Sequence, residues 1–137
     1  MVAAQFRWSV RVYWEDTDAG GVVYHASYLR FLERARTEYL RHLGIEQEGL
    51  RKDNNLVFVV RDLAIGFEKP ARLDDLLGVT VALVERRPAS LVFQQQILRE
   101  SDAVVLVQAR VRAACVAAAG FRPRPIPDGL FAEISKA

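Results

Sequence analysis

The stretch EDTDAGGVVYHASYLRFLERARTEYL, Glu15 to Leu40, joins a polar loop to a long amphipathic segment. Two aspartates, two glycines and a histidine fall within its first eleven residues. From residue 26 to residue 43, apolar side chains recur at steps of three and four, which is the spacing of one helix face. Gly44 then supplies a helix stop. The pattern predicts a helix of about five turns that starts near His25. Its apolar positions are Leu29, Leu32, Ala35, Tyr39, Leu40 and Leu43.

Segments typical of β-strands lie on both sides of this helix. The first, FRWSVRVYW at residues 6–14, alternates apolar and polar positions, as a half-buried strand does. A polar patch, QEGLRKDNN, separates the helix from four further strand-like segments, at residues 56–67, 77–87, 90–100 and 103–118. The short turns between the last three predict antiparallel hairpins. Residues 121–135 predict a proline-broken turn and a short helix.

The order of these elements predicts the fold class. One strand, one long helix and four strands, without alternation of strand and helix, favour an α+β fold with an antiparallel sheet. The helix must pack on one face of that sheet, and the other face and the edges still need cover. We therefore expect a single domain over residues 1–137 that associates with itself.

Composition excludes several function classes. The chain has 137 residues, a net charge of +2 and one cysteine, Cys115. Its arginines are scattered rather than grouped in a basic stripe, so we expect no nucleic-acid partner. A single cysteine rules out an intramolecular disulfide and favours a reducing compartment, the cytoplasm. No apolar run is long enough for a signal peptide or a transmembrane segment.

Metal binding is one interpretation of the polar loop. Asp16, Asp18 and Gly21 match the opening of a calcium loop. The match then fails, because Gly20 takes the fifth position, where an oxygen ligand is required, and Ser27 takes the twelfth, where the loop needs a bidentate glutamate. A transition-metal site would use His25, but no cysteine is near. We expect no metal.

Nucleophilic serine or cysteine chemistry and phosphate binding fit the sequence poorly. The G-x-S-x-G, GxGxxG and P-loop patterns are absent. Ser27 is two residues from His25, so on a helix the two side chains point in different directions. Cys115 lies among small apolar residues and is expected to be a buried hydrophobic side chain.

A catalytic carboxylate is the remaining chemical interpretation. A strand end, a glycine turn at Gly20 and Gly21, and a helix start would place free backbone N–H groups beside an aspartate. Such N–H groups stabilise a carbonyl oxygen that develops negative charge. Asp18 could attack that carbonyl or activate a water molecule. The residues alone fit equally well a loop that only caps the helix, and both interpretations stay open.

A family resemblance favours the catalytic interpretation. The string R-V-x-x-x-x-T-D-x-x-G-V-V-Y-H-x-x-Y, from Arg11 to Tyr28, resembles the active-site signature of the hydroxybenzoyl-CoA thioesterase family of hotdog-fold proteins. FVVRDL, PARLDDLL and SLVFQQ further along resemble the branch called Tol-Pal-associated acyl-CoA thioesterases. The resemblance implies a five-stranded antiparallel sheet wrapped around one long central helix. It also implies homo-oligomers, dimers or tetramers, with sites between subunits and a role in the cell envelope.

The resemblance also implies roles for individual residues. Asp18 would be the catalytic carboxylate, acting as nucleophile or general base, and His25 would orient the reacting groups. The backbone N–H groups of Val23 and Tyr24 would hold the thioester oxygen. Neither a cofactor nor a metal is implied. Further candidate substrate contacts are Arg86, Arg87 and Ser90 for the nucleotide of coenzyme A and Trp14, Tyr28 and Phe58 as walls of an acyl pocket.

The function predicted by this resemblance is hydrolysis of acyl-CoA, with a short to medium acyl chain and with acyl carrier protein as a further candidate carrier in lipid metabolism. The alternative is a module that binds acyl thioesters, or docks with lipid-synthesis proteins, without hydrolysis. A hotdog dehydratase is disfavoured, since Asp18 matches the thioesterase signature rather than a hydratase histidine.

Overall fold

Two helices and five strands make up the fold, and the computed structural model describes residues 5–131 of the chain. One 3-10 turn, Trp14–Asp16, follows the first strand. The helices are α1, His25–His42, and α2, Gln47–Asn54. The strands are β1 (Phe6–Arg11), β2 (Leu56–Phe67), β3 (Leu76–Arg87), β4 (Ser90–Arg99) and β5 (Val105–Ala117).

All five strands belong to one antiparallel sheet, in the order β1-β3-β4-β5-β2. Strands β1 and β2 form its edges. Helix α1 packs on one face, where Phe31, Leu32 and Ala35 join the buried core of the sheet. This arrangement confirms the predicted α+β class with five antiparallel strands and one long helix.

A buried amide links the middle of α1 to the sheet. The side chain of Gln95 on β4, only 1% exposed, donates to the carbonyl of Leu32 at 3.1 Å and to that of Thr80 at 3.3 Å. Its Oε1 accepts a hydrogen bond from Arg36 at 3.1 Å. Because buried polar groups are costly unless paired, this network defines where the helix rests along the sheet.

The helix ends as predicted, but its buried face is rotated from the predicted one. Gly44 adopts a φ of 85°, and the N–H of Ile45 donates to the carbonyl of Leu40 at 2.8 Å, which closes the C-terminus. Tyr28 and Phe31 are buried, whereas Leu29 and Leu43 are about two-fifths exposed. Of the apolar positions at helical spacing, Leu29 and Leu43 therefore lie outside the core.

Two element boundaries also differ from the prediction. β1 stops at Arg11 rather than at residue 14, because the chain turns there into the 3-10 turn. The polar patch after α1 is helix α2, none of whose residues is buried, so it shows no apolar periodicity. The short helix predicted near the C-terminus lies partly outside the described residues, and residues 121–131 contain none.

A β-bulge in β3 changes which side chains face inward. The pairing with β4 shifts between Leu83 and Glu85, so Arg86 pairs with the buried Leu91. Because paired residues point to the same side of a sheet, the bulge turns Arg86 inward.

Neither described helix is long and apolar enough to span a membrane.

Candidate active site

A tight loop connects the 3-10 turn to α1. The N–H of Asp18 donates to the carbonyl of Val22 at 2.9 Å, and the N–H of Gly21 donates back to the carbonyl of Asp18 at 3.0 Å. Gly21 has a φ of 78°, a conformation that favours glycine. Thr17 and Val23 form an antiparallel bridge that closes the loop. This backbone network fixes Asp18 just before the start of α1.

The two aspartates of the loop have different surroundings. Asp16 is 6% exposed, and its Oδ2 accepts the N–H of Tyr13 at 2.8 Å, which stabilises the 3-10 turn. Asp18 is exposed, and its Oδ1 accepts the N–H of Gly20 at 2.8 Å. Within residues 5–131, the other oxygen of Asp18 accepts no hydrogen bond. Asp18 is therefore the loop carboxylate available to a ligand.

The backbone N–H groups predicted to bind the thioester oxygen are already engaged. Val23 donates its N–H to the carbonyl of Ala71 at 2.9 Å, and Tyr24 donates to the carbonyl of Asp16 at 2.8 Å. The predicted oxyanion site at Val23 and Tyr24 therefore does not fit the structure. The next N–H groups, of His25 and Ala26, have no backbone acceptor within the described chain, as expected for the first turn of a helix.

The imidazole of His25 lies on the surface beside these free donors. The rings of Tyr24 and His25 are 4.4 Å apart, and both side chains are exposed. The N-cap residue Tyr24 provides no side-chain hydrogen bond to the helix. The first turn of α1 thus presents two N–H groups, the positive end of the helix dipole and one imidazole to a ligand.

Tyr28 ties the start of α1 to the segment between β2 and β3. Its hydroxyl oxygen accepts the N–H of the fully buried Ala71 at 3.0 Å, and the carbonyl of Ala71 accepts the N–H of Val23. Burial raises the pKa of Tyr28 and the hydrogen bond from Ala71 lowers it, whereas the negative charges of Asp75 and Asp18 raise it further. Tyr28 therefore remains a neutral hydroxyl group.

A cleft of about 260 Å³ opens beside the helix start. The ring centroids of Tyr28 and Phe67 in its wall are 5.6 Å apart, and about half of Phe67 is exposed. Because His25 belongs to this wall, a group held at the free N–H groups can extend into the cleft. Its lining residues are Val23, His25, Tyr28, Phe67, Glu68, Lys69 and Pro70.

A second cavity, of about 280 Å³, lies between α1 and the sheet near β2. Phe58, Val60 and Phe93 contribute apolar wall, and Glu33 and Arg36 are polar members. Burial lowers the pKa of Arg36, and Glu33 opposes that effect. Within one chain Tyr28 and Phe58 line separate cavities, and an acyl pocket shared between two subunits stays a prediction. Trp14 is 80% exposed on its turn and lines neither.

The predicted nucleotide contacts lie together at the β3–β4 hairpin, where Arg87 pairs with Ser90, but they differ in exposure. Arg86 is 8% exposed, with its Nη2 3.5 Å from the carbonyl oxygen of Pro127, so it is not available to a phosphate. Arg87 is exposed but paired with Glu85 at 2.9 Å, and the hydrogen bond that it donates, together with its positive charge, lowers the pKa of Glu85. Ser90 is half-buried at the start of β4. The β-bulge in β3 is the physical reason why Arg86 differs from the prediction.

Several residues that shape the site were not identified from the sequence. Phe67 is the last residue of β2, and Lys69 and Ala71 follow it. All three are far from the loop along the chain, and only the fold brings them to the helix start. The segment PARLDDLL resembles the family, but nothing in its sequence predicts the hydrogen bonds of Ala71. The free donors at His25 and Ala26 were predictable from the rule for helix starts once the first helical residue was known.

Comparison with known proteins identifies relatives of this chain. Residues 12–134 match the sequence model of the Thioesterase-like superfamily. The chain is 47% identical over 131 residues to the acyl-CoA thioester hydrolase YbgC of Escherichia coli O6:H1, covering 96% of both chains. It is 48% identical over 122 residues to the acyl-CoA thioesterase YbgC of Haemophilus influenzae, covering 89% of this chain and 88% of that one.

A solved structure has the same fold. The crystal structure of a probable thioesterase from Bartonella henselae superposes with a TM-score of 0.85 at 38% identity, covering 90% of this chain and 100% of that one. Together with the match over residues 12–134, this confirms the predicted hotdog-type architecture. The protein belongs to the Thioesterase-like superfamily.

Proposed function

We propose that this protein hydrolyses acyl-CoA thioesters and that Asp18 is the reacting carboxylate. Thioester hydrolysis is the activity named for both YbgC relatives. The single observation that carries the assignment to Asp18 is its exposed carboxylate, immediately before the start of a helix. Within residues 5–131, one oxygen of this carboxylate and two N–H groups of the helix start make no hydrogen bond.

The chemistry follows from this arrangement. The N–H groups of His25 and Ala26 receive the thioester oxygen as it gains negative charge. Asp18 either attacks the carbonyl carbon, which releases the thiolate and leaves a mixed anhydride for water to cleave, or removes a proton from the attacking water. Both routes yield a carboxylic acid and a free thiol. His25 orients the carbonyl, the water or Asp18.

We further propose that a homo-oligomer completes the site. Edge strand β2 exposes Val59, Val60, Leu63 and Phe67, with its outer backbone edge unpaired within the described chain. Such an apolar edge is suited to pairing with a second copy. Val60 and Phe58 of this strand also line the cavity beside α1, so a second copy on this edge would border that cavity.

We assign the cavity to a short to medium acyl chain, because about 280 Å³ is near the lower limit of ligand pockets.

Size-exclusion chromatography with light scattering tests the oligomer. Val60→Lys places a charge on the exposed edge and should shift a dimer or tetramer towards the monomer, with loss of activity. Lys substitution of the exposed Val84 on β3 is the matched control. A parent protein that is monomeric and fully active contradicts this part of the proposal.

Release of free coenzyme A from a panel of acyl-CoAs tests the function itself, with acyl carrier protein thioesters as a second set of substrates. We expect turnover with a preference for short to medium chains. Saturable binding of acyl-CoA without turnover would instead support the acyl-binding module.

A cytoplasmic location is part of the proposal, and the single buried Cys115 is compatible with a reducing compartment.

A further inference from the structure

The cleft beside His25 has an apolar wall and a positive charge. Val23, Tyr28, Phe67 and Pro70 supply the wall, and the ammonium group belongs to Lys69, an exposed residue. The volume, about 260 Å³, is slightly below the roughly 300 Å³ at which small-molecule pockets begin. The cleft is therefore large enough for one slender chain or one small group.

The charge of Lys69 is not neutralised within the part of the chain that the structure describes. No carboxylate of residues 5–131 lies within ion-pair distance of its ammonium group. Glu68, the only acidic residue of the cleft wall, accepts a hydrogen bond from Gln108 at 2.7 Å. The exposed Arg72 lies beside Val22 through an antiparallel bridge and adds positive charge nearby. The cleft thus combines an apolar channel with an available cation.

This combination matches one side of a thioester substrate. The thiol side of every acyl-CoA and of every acyl carrier protein thioester is a pantetheine arm that ends in a phosphate. An unsubstituted acyl chain has no anion for Lys69 to bind, whereas a compact ammonium group suits a phosphate. We propose that this cleft holds the pantetheine arm and that Lys69 binds the phosphate at its end. The inference rests on the proposed thioesterase function.

The proposal replaces the sequence-based placement at the β3–β4 hairpin. Arg86 is buried there and Arg87 is paired with Glu85, so neither is as available as Lys69. The two placements can be separated with matched variants. Lys69→Gln removes the proposed contact, Arg87→Gln removes the rival one, and Lys52→Gln on the surface of α2 is the neutral control.

Direct binding tests the inference without turnover. Calorimetry compares 4′-phosphopantetheine with pantetheine, which lacks the phosphate. We expect Lys69→Gln to weaken phosphopantetheine binding about 10- to 150-fold, as for loss of one charge-assisted hydrogen bond, and to leave pantetheine binding unchanged. Equal binding of the two compounds by the parent, or a larger effect from Arg87→Gln, would overturn the proposal.

Kinetic measurements with one acyl group on different carriers show which phosphate of the substrate Lys69 binds. Lys69→Gln should raise KM for acyl-CoA and acyl-phosphopantetheine and leave kcat, and all values for acyl-pantetheine, unchanged. A KM effect with acyl-CoA alone would assign Lys69 to a nucleotide phosphate and overturn the proposal. Repeating the comparison with an acyl carrier protein thioester shows which carriers present their phosphate to Lys69. If the parent binds phosphopantetheine through Lys69 but hydrolyses none of these thioesters, the inference stands and the proposed function fails.

Discussion

The N–H of Tyr24 donates to the carbonyl of Asp16 at 2.8 Å, and this contact determines where the free donors of α1 begin. It joins the 3-10 turn to the helix start and uses the last N–H before the first helical residue. The first N–H available to a ligand is consequently that of His25. This moves the proposed oxyanion site along the chain, from Val23 and Tyr24 to His25 and Ala26.

Replacing His25 by proline tests that donor. Proline is well tolerated at the first helical position, and Tyr24 already has the extended conformation (φ −63°, ψ 135°) that a residue before proline needs. His25→Ala removes the imidazole and keeps the N–H. We expect kcat of His25→Pro to fall about 10²- to 10³-fold below that of His25→Ala, with similar melting temperatures. Equal kcat in the two variants would remove this N–H from the mechanism.

Tyr28→Phe should destabilise the protein as well as the site. The change leaves the N–H of Ala71, a fully buried residue, without its acceptor. We expect the free energy of unfolding in urea to fall by about 1–3 kcal/mol. Tyr13→Phe is the control, since Tyr13 is 61% exposed. If both variants unfold at the same urea concentration as the parent, the contact between Tyr28 and Ala71 contributes little.

The sequence predicted the sheet because four of its strands show clear apolar runs bounded by turn residues. It predicted α1 for the same reason, through apolar spacing and Gly44. The sequence did not predict α2, because a helix that buries no residue has no apolar periodicity. It also did not predict the side of Arg86, because the bulge in β3 reverses it. The motif located the loop with Asp18 and His25, whereas the partners of Val23 and Ala71 depend on segments far apart in the chain.

Gln95→Leu tests the buried link between α1 and the sheet. The substitution removes the acceptor of Arg36 and the donor to Leu32 and Thr80, at a cost of about 1–3 kcal/mol for each buried group left unpaired. Gln94→Leu is the control on the exposed side of the same strand. Chemical denaturation should show a large loss for position 95 and almost none for position 94. Equal losses would contradict the assigned role of Gln95.

Asp18→Asn tests the central claim most directly. Asparagine can still accept the N–H of Gly20, so the loop should keep its shape while the negative charge is lost. Asp53→Asn, at an exposed position on α2, is the matched control. The measurement is kcat for coenzyme A release from the best acyl-CoA, at matched melting temperature and oligomeric state. A fall of about 10²- to 10⁴-fold in Asp18→Asn alone is the expected result, and turnover equal to the parent would contradict a carboxylate mechanism at Asp18.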